Sequence, residues 1–172
     1  AINQHNYLRL SEFKSKYELD DRPIIAILPG SRKQEIKKML KVMLEVSSRF
    51  KNYQFIIAGA PSQPESFYKQ TIKNSEGHFI SNDTYNLLNN AHAALVTSGT
   101  ATLETALFKV PQVVCYKGSW ISYEIGKRII DLKFISLVNL IMDKEVVMEL
   151  IQNKFNTNSV TDALKGILNP NQ

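Results

Sequence analysis

Short runs without a polar residue alternate along this chain with longer stretches whose apolar positions recur every three or four residues. Ile24-Ile25-Ala26-Ile27-Leu28, Phe55-Ile56-Ile57-Ala58, Ala93-Ala94-Leu95-Val96 and Val113-Val114-Cys115 show no in-out alternation, the pattern of strands covered on both faces. Between the first two, Ile36, Met39, Leu40, Met43, Leu44, Val46 and Phe50 keep the helical period and predict a helix over 35–50. Further helices are expected within 4–19, which Asp20-Asp21-Arg22-Pro23 closes, and over 64–73, 85–90, 101–108, 119–131, 144–153 and 160–168. A short strand at 78–80 and an extended piece at 135–137 complete the order. Strands alternating with helices of this length imply parallel pairing through right-handed crossovers. The expected fold is α/β, a Rossmann-like parallel sheet with helices on both faces, in one domain over 1–172 without repeat, low-complexity tract or linker.

In an open parallel sheet ligands bind outside the carboxyl ends of the strands, so the loops there are the candidate site. The stretch 93–104 is the most informative, because a buried strand runs through Ser98-Gly99-Thr100 directly into a helix. Gly99 can turn sharply, the hydroxyls of Ser98 and Thr100 can cap, and the free N–H groups of a helix start attract anions. A capped helix without a ligand is the structural alternative. A second loop, Gly30-Ser31-Arg32, follows the first strand; Gly30 permits close backbone approach, and Arg32 is either a planar fork for phosphate or a solvated surface arginine. The third loop spans 136–139. Glu104 falls about one turn into its helix, where it either complements the helix dipole, worth about 0.3–1 kcal/mol, or accepts hydrogen bonds from the sugar hydroxyls of a ligand. Neither a Gly-x-Gly-x-x-Gly fingerprint nor a P-loop is present.

With 172 residues, 44% of them hydrophobic and 22% charged, the chain has the composition of a globular domain, and no apolar run is long enough to cross a bilayer. The net charge of +5 suits an anionic ligand, a nucleic acid or an acidic membrane surface without choosing among them. No aromatic-studded strand or helix-turn-helix signature supports nucleic acid as a partner. Aromatics and cations share 116–130, including Trp120, Tyr123, Lys127 and Arg128; a core helix with a basic edge and a membrane-touching helix both fit. Cys115 lies inside an apolar run, so it reads as a core residue rather than a nucleophile. The three histidines are scattered away from metal-ligand spacing, and neither metal nor cofactor is expected. Asn82-Asp83-Thr84 matches a glycosylation acceptor by chance. A first residue of alanine rather than methionine suggests a fragment or a processed start.

Several segments in order resemble the C-terminal domain of the lipid-A-disaccharide synthase family: Leu28-Pro29-Gly30-Ser31-Arg32 with Glu35-Ile36, Ala94-Leu95-Val96-Thr97-Ser98-Gly99-Thr100-Ala101-Thr102-Leu103-Glu104, Pro111-Gln112-Val113-Val114-Cys115-Tyr116, Tyr123 with Lys127-Arg128, Ile135-Ser136-Leu137-Val138-Asn139, and Lys144-Glu145-Val146-Val147-Met148-Glu149-Leu150. The resemblance covers roughly 22–152, and Ser-Gly-Thr-Ala-Thr-Leu-Glu is its most specific run. It implies a GT-B glycosyltransferase of two Rossmann-like domains, with this chain as the nucleotide-sugar half. It implies transfer from UDP-2,3-diacylglucosamine to 2,3-diacylglucosamine 1-phosphate with inversion and release of UDP, at the cytoplasmic face of the inner membrane of Gram-negative bacteria. Position by position, Arg32 and Asn139 are implied UDP contacts, and Ser98, Gly99 and Thr100 the diphosphate loop; Gly30, Ser31, Glu104 and Glu145 complete the implied donor site.

The chain departs from the family pattern at Val138, which replaces a proline, and at Met142-Asp143-Lys144-Glu145, which stands where Ala-Gly-Arg-Glu is usual. Lys144 keeps the charge but loses the bidentate fork. The acceptor surface and the catalytic acidic residue are expected outside this chain, in an N-terminal domain, so no catalytic residue is assigned here. The donor domain of another UDP-GlcNAc-using GT-B enzyme, or a non-catalytic nucleotide-binding module, are the alternatives.

Overall fold

The computed structural model describes residues 6–72, 77–117 and 133–169. Six strands, β1 (Ile24–Leu28), β2 (Gln54–Gly59), β3 (His78–Ser81), β4 (Ala93–Thr97), β5 (Gln112–Tyr116) and β6 (Met148–Ile151), form one sheet in the order β3-β2-β1-β4-β5-β6. Every pairing is parallel, with Ala26 opposite both Ile56 and Ala94 at the centre. The chain winds outward from β1 to β3, crosses back to β4, and winds outward again to β6. The reversal between β1 and β4 leaves a crevice at their carboxyl ends, where the two following crossovers depart to opposite faces.

Among the described residues the α-helices are α1 (Leu10–Lys16), α2 (Lys33–Ser47), α3 (Glu65–Ile72), α4 (Thr84–Asn90), α5 (Thr100–Leu107), α6 (Leu137–Met142) and α7 (Thr157–Leu168). Both faces of the sheet are covered. On one, Ile36, Met39, Leu40 and Met43 of α2 and Val160 and Leu164 of α7 pack on Ile25, Ile27, Leu95 and Val113. On the other, Phe13 of α1 and Leu87 and Leu88 of α4 pack on Ile24, Ala26, Ile56 and Val96, with Ala101 and Phe108 at the edge of the cluster. Burial on both sides explains why β1, β2, β4 and β5 are apolar without alternation. Each fully buried isoleucine or leucine there contributes about 1.5–3 kcal/mol relative to exposure.

Two expectations near the carboxyl terminus fail together. The piece expected to be extended over 135–137 instead leads directly into α6, which begins at Leu137, and 144–153, read as a helix, holds β6 followed by a single 3-10 turn, Gln152–Lys154. Asp143 ends α6 in the left-handed region at φ 49°. Asn139 then accepts the N–H groups of Val146 and Val147, holding the chain extended as it enters the ladder with β5. Strand pairing to a buried neighbour overrides the helical preference of Lys144-Glu145 and Met148-Glu149-Leu150. The helix expected over 119–131, with Trp120, Tyr123, Lys127 and Arg128, lies outside the described residues, as does all of the 116–130 membrane-touching alternative beyond Lys117.

Candidate functional site

The crevice at the β1/β4 reversal holds a cavity of about 280 Å³, lined by residues following three strands: Gly30, Ser31 and Glu35 after β1, Gly59 to Pro61 at the end of β2, and Thr97 to Ala101 with Glu104 after β4. Two glycines make its walls possible. Gly30 leaves β1 at φ +96°, and a Cβ there would press against Thr97 Cγ2 at 3.4 Å; Gly99 leaves β4 at φ +146°. Any L-residue at either position would be strained.

Gly99 is the N-cap of α5, and no side chain caps that helix. Neither hydroxyl expected to do so caps it. Ser98 Oγ donates to the Ile135 carbonyl at 3.2 Å, while the Ser98 N–H donates to the Cys115 carbonyl, so Ser98 stitches the loop to its neighbours. Thr100 is exposed at the helix start. The first turn of α5 therefore presents backbone donors to the cavity, backed by the positive end of the helix dipole. Beneath them Thr97 is 4% exposed, and its hydroxyl has no hydrogen-bond partner among the described residues. A buried hydroxyl without a partner costs about 1–3 kcal/mol.

Arg32 stands at the rim rather than in the wall. It is the N-cap residue of α2, its guanidinium is largely exposed, and Nη1 lies 3.2 Å from Glu35 Oε1. Glu35 is the better buried partner, with its side chain 16% exposed. Tyr116, at the end of β5, belongs to the same group: burial and then the Glu35 carboxylate push its phenol above the ordinary value, while Arg32 opposes them. Ser31 fixes the loop through its carbonyl, which accepts from Ser62 Oγ and Gln63 Nε2. Glu104 closes the opposite side, where its Oε1 accepts a 3.2 Å hydrogen bond from the Tyr85 hydroxyl. The Glu104 charge, then partial burial, raises the Tyr85 phenol. Glu104, Thr84 and Pro61 are shared with a second cavity of about 520 Å³, also lined by Tyr7, Tyr85, Asn82 and Asn86.

Gly30, Ser31, Ser98, Gly99, Thr100 and Glu104 thus converge, with Arg32 beside them. Asn139 and Glu145 do not. The Asn139 side chain is fully buried and saturated: Nδ2 donates to the Val147 carbonyl and to Glu149 Oε1, and Oδ1 accepts from Val146 and Val147. An amide has two donors and two acceptor sites, so nothing remains for a ligand. Glu145 is exposed in the loop before the amino end of β6, the edge strand, whereas the cavity opens at the carboxyl ends of β1, β2 and β4. Sequence reasoning gave no role to Thr97, Glu35 or Tyr85 and passed over the Gly59–Pro61 wall, although the strand-end rule applied to β2 points to that wall. Among the described residues, no group of three His, Cys, Asp or Glu side chains could hold a metal, and no helix is long and apolar enough to cross a membrane. Cys115 is fully buried in β5, and burial pushes its thiol far up.

Residues 6–172 match the lipid-A-disaccharide synthetase family. A lipid-A-disaccharide synthase of Coxiella burnetii is 36% identical over 171 residues, covering 94% of this chain and 44% of the relative; one of Syntrophus aciditrophicus is 38% identical over 156 residues, covering 87% and 41%. The chain therefore spans less than half the length of these relatives. Among solved structures, E. coli ADP-heptose LPS heptosyltransferase II superposes with a TM-score of 0.63 at 12% identity, over 92% of this chain and 50% of that one. The C-terminal CMP-Kdo binding domain of WaaA from Acinetobacter baumannii gives 0.57 at 14% identity, over 99% and 90%. At such identities the structures speak for the fold alone. A match over nearly the whole chain, with relatives above a third identical, shows that the chain belongs to the lipid-A-disaccharide synthetase family.

Proposed function

We propose that this chain is the donor-binding half of a lipid-A-disaccharide synthase, holding UDP-2,3-diacylglucosamine with its diphosphate against Ser98-Gly99-Thr100. The observation that carries the reading is the uncapped start of α5 in a cavity between two positive-φ glycines. Phosphate oxygens only accept hydrogen bonds, and this wall offers donors. Glu104 takes the ribose hydroxyls, which sends the base toward the adjoining cavity beside Tyr85. As the acceptor hydroxyl of 2,3-diacylglucosamine 1-phosphate attacks the anomeric carbon, the glycosidic bond to UDP breaks on the far side and charge grows on the diphosphate. Fixed N–H donors and Arg32 stabilise that charge more than the ground state, which lowers the barrier. The acceptor and the base that takes its proton belong to the other half of an enzyme more than twice this length. Both substrates are acylated, so the whole enzyme works against the cytoplasmic leaflet of the inner membrane as a peripheral protein.

Calorimetry of the chain with UDP, UMP and ADP tests the reading. UDP should bind more tightly than UMP, which lacks the second phosphate, and more tightly than ADP. Absence of UDP binding at millimolar ligand, or equal affinity for UDP and UMP, contradicts it.

A further inference from the structure

The cavity has two carboxylates, and only one is accounted for by a ribose. Glu35 rises from the first turn of α2 on one face of the sheet, and Glu104 belongs to α5 on the other, so they reach the cavity from opposite sides of the β1/β4 crevice. Glu35 Oε1 is held by Arg32, whereas Oε2 turns toward the Gly30 loop, 3.7 Å from where a Cβ of that residue would stand, with no hydrogen bond among the described residues. A carboxylate at most a sixth exposed in the wall of an anion site cannot face phosphate oxygens, because both only accept. Ligand hydroxyls are donors it can accept from. In a nucleotide sugar the diphosphate lies between two polyhydroxyl rings, and the donor-rich helix start lies between two carboxylates.

We propose that Glu35 reads the transferred sugar, its free oxygen accepting from the hydroxyls at C4 or C6 of the donor hexose, the two ring-side hydroxyls that a 2,3-diacylated glucosamine leaves open. This rests on the donor-site reading above and adds the sugar end to it. Arg32 has a second consequence here: by neutralising Oε1 it lets a carboxylate sit near a diphosphate without repelling it.

Glu35→Gln in the full chain tests the assignment, with UDP and UDP-N-acetylglucosamine as probes. Affinity for UDP-N-acetylglucosamine should fall about tenfold to a hundredfold, the scale of a hydrogen bond to a charged group, while affinity for UDP stays level or rises as a negative charge is removed. A second measurement needs no variant. The 4,6-dideoxy analogue of UDP-N-acetylglucosamine should bind the wild-type chain more weakly by the same factor and should lose nothing further in Glu35→Gln. Equal losses for UDP and the UDP-sugar would mean that Glu35 acts only by holding Arg32, and no loss for either would mean that it faces solvent; each overturns the proposal and leaves the donor site standing. Failure of the wild-type chain to bind UDP removes the donor-site reading, and this one with it.

Discussion

Replacing Asn139 by alanine separates a scaffold residue from a ligand contact. Its side chain makes four hydrogen bonds of 2.7–2.9 Å, two to the N–H groups of Val146 and Val147, one to the Val147 carbonyl and one to Glu149. At about 1 kcal/mol net for each bond, truncation costs roughly 4 kcal/mol, with any group left dry adding to that and any group reached by water subtracting. For a chain of this size each kcal/mol moves the unfolding midpoint by about 2–4 °C, so the expected drop is about 8–16 °C. Asn139→Asp should fare no better: it keeps the acceptors, loses the donors, and sets a second carboxylate against Glu149, which already accepts from the Ile135 and Ser136 N–H groups. Differential scanning calorimetry gives the midpoint, and titration of the folded variant at low temperature gives UDP affinity. A midpoint within about 2 °C of wild type together with a large loss of UDP affinity would refute the reasoning and return Asn139 to the ligand.

Arg32→Ala should weaken UDP by about 1.5 kcal/mol, the low end for a charged hydrogen bond because the side chain is largely exposed, and leave uridine unchanged; equal losses would place Arg32 away from the diphosphate. Glu104→Gln should weaken UDP while barely affecting 2′,3′-dideoxy-UDP, and a coupling energy of zero between variant and ligand would reduce Glu104 to a partner of Tyr85 and the helix dipole. Asp83 is pushed up by burial but pulled further down by hydrogen bonds from Lys16, Tyr17 and Asn86, so its carboxyl titrates below the usual 3.8. Its contribution is therefore complete above that value and is lost as pH falls through the lower folded one. Asp83→Asn should cost about 1 kcal/mol at neutral pH and nothing once acid has protonated the carboxyl in the folded state, and a deficit unchanged by acid would contradict the network.

What the chain's pattern discloses is set by how local the cause is. Four apolar runs became the four strands buried on both faces, because covering a strand on both sides leaves its signature in the run itself. The loop pair at Gly30 and Gly99 was legible for a similar reason: strand, small residue and helix follow one another directly. By contrast, 144–153 has residues that suit a helix, and only the ladder to β5 and the grip of Asn139 make it a strand, neither of which is local. The scaffold role of the Asn139 side chain was hidden on the same account, since its four hydrogen bonds reach residues seven to ten positions away along the chain. Thr97 was hidden in an apolar run, and that its hydroxyl lacks a partner depends on what the fold brings, or fails to bring, within reach. Glu35 lies one helical turn from Arg32 and could have been paired with it from spacing alone, but its second oxygen gains meaning only once Gly30 and Thr97 close the wall around it.

The most direct measurement is a titration of the isotopically labelled chain with UDP, following backbone amide shifts. The account predicts saturable changes that are largest at Gly30, Ser31 and Ser98 to Ala101, with the α5 N–H groups moving downfield as they donate to phosphate. Saturation with the largest changes on the 144–147 loop, or no change at millimolar UDP, would contradict it.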